Sequence, residues 1–99
     1  MNIKNMEVSV GKACALLRAL ANERRLMILC QLVEQEKSVG VLAEQLGIAQ
    51  AMISQQLTIL KKEGLVRSRR QGQSIFYTLD NDAAVKILQT LYETYCPSE

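Results

Sequence analysis

The hydrophobic period of this chain changes at Gly64, and that change limits the folds open to it. Before Gly64, apolar residues recur three and four positions apart. After it, LVRSRR and SIFYTL read as two strands, with Ile75, Tyr77 and Leu79 alternating inward. Gln71, Gly72 and Gln73 join the two runs as a hairpin. The chain therefore combines a helical body with a single β-hairpin.

The helical part divides at recognisable caps. Ala13, Leu16, Leu17 and Leu20, widened by Val10, Cys14 and Ala21, mark a first helix ending near Ala21. Asn22 is placed to cap a second helix, on which Leu26, Leu29, Cys30 and Val33 share one face. Ser38 is a cap for a third, shorter helix through Leu42, Ala43 and Leu46 that stops at Gly47. A fourth follows in AQAMISQQLTILKKEG, with Ile53, Leu57 and Leu60 as its buried stripe and Gly64 at its end. Beyond the hairpin, Asp80 or Asn81 caps a last helix with Val85, Leu88, Leu91, Tyr92 and Tyr95 along one side and Pro97 as a stop. The expected order is α-α-α-α-β-β-α in a single domain spanning residues 1–99, mainly helical with a β-hairpin wing.

Two helices joined by a short glycine-containing turn are the frame of a helix-turn-helix, whose second helix enters the major groove. The face of the fourth helix opposite its apolar stripe is small and amide-rich. Gln50, Ser54 and Gln55 offer it groups that pair with base edges or phosphates, and Lys61 and Lys62 at its far end suit phosphates. Residues 61 to 70 carry Lys61, Lys62, Arg67, Arg69 and Arg70 against Glu63 alone, a balance of +4 in a chain whose net charge is +2. Such a concentrated basic segment on a near-neutral body is the electrostatic footprint of a nucleic-acid reader. Arg69, Arg70 and Gln71 crowd the hairpin tip beside Gly72, where an arginine can enter the minor groove.

The segment from Leu16 to Leu79 resembles the ArsR family of winged helix-turn-helix repressors. The resemblance is carried by ALANERRLMILC, SVGVLAEQLGIAQAMISQQLTILKKEGLV and RRQGQSIFY, with Ala43, Gly47 and Ile53 at the small, turn and buried positions. It implies a homodimer built on the first and last helices, a recognition helix beginning near Gln50, a wing at residues 67 to 76, and a pseudo-palindromic double-stranded operator as partner. One departure is Ala49, where family members commonly have serine or threonine, so no contact is carried over there.

The chain has three cysteines and no histidine. On the residues alone, Cys30 on an apolar helix face reads as a small hydrophobe, the commoner fate of buried cysteine. Within the family, however, a cysteine in ILC of the second helix and another in YC near the end of the last is similar to the BigR, SqrR and HlyU group. That resemblance implies a thiol pair, Cys30 and Cys96, that senses reactive sulfur species or oxidants and releases the repressor from DNA; Cys14 has no counterpart. The chemistry is sound, because one thiolate attacks sulfane sulfur or peroxide and a second thiol resolves the product.

Other classes find less material. Without histidine, a tetrahedral zinc site has poor donors, so no metal and no cofactor are expected. Three thiolates could still take arsenite, the alternative inducer. No catalytic constellation can be assembled, so an enzyme is not expected. A winged-helix module that binds protein and not DNA is the alternative of another class. No stretch approaches membrane-spanning length and no cleavage pattern follows the first apolar run, which makes the cytoplasm the expected compartment.

Overall fold

A computed structural model of the chain describes residues 1–96. Its elements are α1 (Ile3–Leu20), α2 (Glu23–Glu34), β1 (Lys37–Ser38), α3 (Val39–Leu46), α4 (Gln50–Lys62), β2 (Val66–Gln71), β3 (Ser74–Leu79) and α5 (Asp82–Tyr95). The five helices and the hairpin wing come in the expected order, with one addition. The short strand β1 pairs antiparallel with the inner strand β3, Lys37 opposite Tyr77 and Ser38 opposite Phe76, so the sheet runs β1-β3-β2. Two residues display no period, which is why β1 is invisible in the sequence.

Local chemistry sets the boundaries. The side-chain oxygens of Asn22, Ser38 and Asn81 accept from the amides of Arg25, Val41 and Ala84 at 3.1, 3.2 and 2.9 Å. Asn81, not Asp80, is thus the cap of α5. Gly47 closes α3 with φ +65°, a left-handed conformation that side chains with a Cβ resist. α4 alone starts without a side-chain cap, because Ala49 has no acceptor to offer. Pro97, the expected stop of the last helix, lies outside the described residues.

The core fixes α4. Ile53, Leu57 and Leu60 have no solvent exposure and pack with Ile28 and Leu29 of α2 and Leu42 of α3. Leu65, Val66 and Tyr77 extend the same cluster into the sheet, with Ile75 and Leu79 packed against it. Lys37 is the buried cation among the described residues: its Nζ donates to Gln31 Oε1 at 2.7 Å and Gln45 Oε1 at 3.1 Å, and lies 3.5 Å from Glu34. These acceptors satisfy the ammonium and tie the end of α2 to α3.

One expected face is corrected by the packing, and two others lie uncovered in the single chain. On α2 the innermost residues are Ile28, Leu29 and Leu32, while Cys30 sits on the flank and Val33 is exposed. α2 is central, and its core contacts turn the helix from the face that spacing alone selects. On α1 only Ala19 and Leu20 are buried, leaving Ile3, Met6, Val8, Val10 and Leu17 in solvent. On α5, Ala84 and Leu88 face inward, whereas Tyr92 and Tyr95 are 60% and 78% exposed. A periodic apolar stripe reports that a face is meant to be covered, and a single chain does not cover these two.

Replacing Ala49→Ser gives α4 the hydroxyl acceptor it lacks. Urea unfolding at fixed protein concentration is expected to show a gain of about 1 kcal/mol; an unchanged midpoint would mean that the first-turn amides are already satisfied.

Candidate nucleic-acid interface and thiol pair

α4 lies with its apolar stripe on the core, so Gln50, Ser54 and Gln55 project together into solvent. Thr58 shares the exposed side and donates its hydroxyl to the Ser54 carbonyl at 2.9 Å. Lys61 and Lys62 are exposed in the last turn. Lys61 donates to Ser68 Oγ of β2 at 2.8 Å, which joins the end of α4 to the wing.

The wing is a two-residue hairpin turn at Gly72 and Gln73, with Gln71 opposite Ser74 and Gly72 at φ +62°. Glycine at the first central position allows the turn whose twist matches the flanking strands. Arg67, Arg69, Arg70 and Gln71 are all exposed on β2. Arg69 differs from the others in being engaged. Its Nε donates to both Glu36 oxygens at 3.0 and 2.9 Å, its Nη1 donates to Gln71 Oε1 at 2.7 Å, and the guanidinium carbon lies 4.7 Å from the Phe76 ring centre.

Glu36 is a site residue that sequence reasoning missed. It occupies the short link between α2 and β1, where no local motif announces a partner 33 residues away. The Arg69 fork, helped by the Thr78 hydroxyl, holds its carboxyl below the usual carboxylate range. A depressed carboxyl strengthens the fold above its unfolded pKa, and the contribution fades as pH falls through the folded value. The Glu36–Arg69 tie therefore holds at neutral pH and loosens in acid.

Cys30 and Cys96 are carried by two helices that pack on each other, α2 and α5. α2 packs against α5, and a groove of about 420 Å³ between them is lined by Cys30, Val33, Glu34, Leu88, Gln89, Tyr92 and Glu93. Cys96, at the end of α5, is exposed and close enough that its charge opposes ionisation of Cys30. Burial is the larger influence, and the two together push the Cys30 thiol up from its ordinary value. At neutral pH Cys30 is thus a protonated, half-buried thiol, whereas Cys96 is exposed. Cys14 lies apart on α1. Among the described residues no three His, Cys, Asp or Glu side chains gather where they could hold a metal ion, and no helix is long and apolar enough to cross a membrane.

An exposed polar helix face beside a basic hairpin has counterparts among known regulators. The model of the bacterial regulatory protein arsR family matches residues 22–68. The chain is 44% identical over 96 residues to the transcriptional activator HlyU of Vibrio cholerae, a match covering 97% of this chain and 89% of that protein. The chain belongs to the ArsR family. The biofilm growth-associated repressor of Xylella fastidiosa is 40% identical over 99 residues, covering all of this chain and 87% of the relative. The crystal structure of that repressor, BigR, superposes with a TM-score of 0.92 at 40% identity, covering 99% of this chain and 100% of that one. The structure of reduced HlyU from V. cholerae matches with a TM-score of 0.89 at 42% identity, covering 95% and 99% of the two chains. This ArsR-family chain is a DNA-binding transcriptional regulator, of a kind whose relatives include both an activator and a repressor.

The unequal settings of the two thiols have a measurable consequence. Brief alkylation of the reduced protein at pH 7, followed by peptide mapping, is expected to label Cys96 well before Cys30, with Cys30 catching up as pH rises past the ordinary thiol value. Faster labelling of Cys30 at neutral pH would contradict the effect of burial on it.

Proposed function

We propose that this protein is a homodimeric repressor that leaves its operator when reactive sulfur species or oxidants link Cys30 to Cys96. The observation that carries this is the packing of α2 on α5, which places Cys30 in the groove between them and Cys96 at the end of α5, near enough for its charge to act on Cys30, although 65 residues of sequence separate the two. The description of one similar HlyU structure as reduced also favours a redox-dependent state.

The chemistry balances with either inducer class. A Cys96 thiolate attacking a hydroperoxide becomes a sulfenic acid and releases the corresponding alcohol or water; Cys30 then displaces water to give the disulfide. With a persulfide, Cys96 takes the outer sulfur and releases a thiol, and Cys30 displaces hydrogen sulfide to give the same bridge. Transfer of a second outer sulfur to the Cys96 persulfide, with release of a second thiol, followed by Cys30 displacing hydrogen sulfide, gives a polysulfide bridge between the same two residues.

Contact with DNA is assigned to Gln50, Ser54 and Gln55 for the major groove, to Lys61 and Lys62 for phosphates, and to the basic hairpin that carries Arg67, Arg69, Arg70 and Gln71, taken as one surface. The uncovered apolar residues of α1 and the tyrosines of α5 support dimerisation through these two helices. In such a dimer the recognition helices stand about one duplex turn, roughly 34–36 Å, apart on a pseudo-palindromic operator. A bridge tying α2 to α5 alters that spacing, and a coupling of about 1–3 kcal/mol releases the protein by roughly 5–150-fold.

Cys30→Ser and Cys96→Ser are each expected to bind promoter DNA as the parent does and to keep binding after treatment with a sulfane-sulfur donor. Full release of both variants by the donor would eliminate the dithiol mechanism. Release by arsenite and not by the donor would favour a soft metalloid as inducer.

A further inference from the structure

The arginines of the wing are not equivalent. Arg69 commits its donor fork within the chain: Nε and Nη2 to Glu36, and Nη1 to Gln71, with the guanidinium stacked over Phe76. Glu36 is held in turn by the Thr78 hydroxyl at 3.2 Å. Because the sheet order is β1-β3-β2 and Glu36 precedes β1, this contact straps β2 to the body of the protein across β3. Arg70, the next residue, takes the opposite side of the strand by alternation and forms no ion pair among the described residues.

We propose that Glu36 is a positioning residue for DNA recognition: by clamping Arg69 it sets the wing's angle to the recognition helix, so that of the neighbouring arginines 69 and 70 it is Arg70 that meets DNA. The assignment rests on the reading of the wing as a DNA-contacting surface. Moving Arg69 onto a phosphate would leave the Glu36 carboxylate unpaired beside the polyanion, where it repels the duplex. Only a guanidinium can grip a carboxylate with two parallel donors while stacking on a ring, so lysine at position 69 would keep the charge and lose the clamp.

The test is fluorescence anisotropy across a range of salt concentrations. It uses two duplexes, one from the promoter upstream of the protein's own gene and one scrambled duplex of equal composition. Each variant's thermal midpoint is measured alongside, so that a loss of folding is separated from a loss of recognition. Arg70→Gln is expected to make the slope of log affinity against log salt shallower by about 0.9 per protomer, the signature of one lost phosphate contact. Arg69→Gln and Arg69→Lys are expected to keep the slope and the affinity for scrambled DNA but to weaken promoter binding about 3- to 30-fold, the range of one coupled contact. Glu36→Gln should show the same loss of preference, and adding it to Arg69→Gln should cost nothing further. If Arg69→Gln instead flattens the slope as Arg70→Gln does while Arg69→Lys behaves as the parent, Arg69 is a phosphate contact and the positioning role falls. If Arg70→Gln changes neither slope nor affinity, Arg70 does not meet DNA and the assignment fails; if Arg67→Gln and Gln71→Ala are silent as well, the wing does not touch DNA and the underlying reading fails with it.

Discussion

The burial of one side of α4 is the constraint on which the rest of this structure depends. Ile53, Leu57 and Leu60 are wholly enclosed by residues of α2 and α3 and by the start of the sheet, and each such side chain contributes about 1.5–3 kcal/mol on leaving water. Their spacing fixes the helix's rotation. The opposite side is thereby committed to solvent, and it is the side that carries Gln50, Ser54 and Gln55. The proposed recognition residues need not stabilise the fold, because the apolar stripe does so and aims them at the same time.

α2 connects that packing to the thiols. Ile28, Leu29 and Leu32 belong to the cluster that holds α4, while Cys30 lies on the flank facing the groove toward α5. The same helix leads into Glu36 and Lys37, one strapped to the wing and the other to α3. The proposed covalent tie at Cys30 would act on the helix that packs against α3, α4 and β3. The coupling that such a tie would need to supply, about 1–3 kcal/mol, is small beside the energy of the core.

Much of this was legible in the sequence because it is written in local signals. Caps at Asn22 and Ser38, the turn glycine at Gly47, the stripe on α4 and the alternation of Ile75, Tyr77 and Leu79 each depend on neighbours a few residues away. What the sequence concealed depends on partners distant along the chain. β1 exists because β3 offers it backbone groups, Glu36 matters because Arg69 reaches it, and Lys37 is buried because Gln31 and Gln45 converge on it. The apolar stripes of α1 and α5 were visible as patterns, but their exposure was not, since periodicity records that a face is apolar and not what covers it. Arg69 shows the same gap from the other side: a charge in a basic run looks available until its partner is known.

Dithiol control of DNA binding is tested most directly by following one sample of the protein bound to its promoter duplex, at fixed salt, as a sulfane-sulfur donor is added. Anisotropy reports the bound fraction, and intact and peptide mass spectrometry of the same aliquots report the fraction bridged between Cys30 and Cys96. Dithiol control predicts that release follows the bridged fraction and reverses when a thiol reductant opens the bridge. A fully bridged protein that stays on its promoter would contradict it.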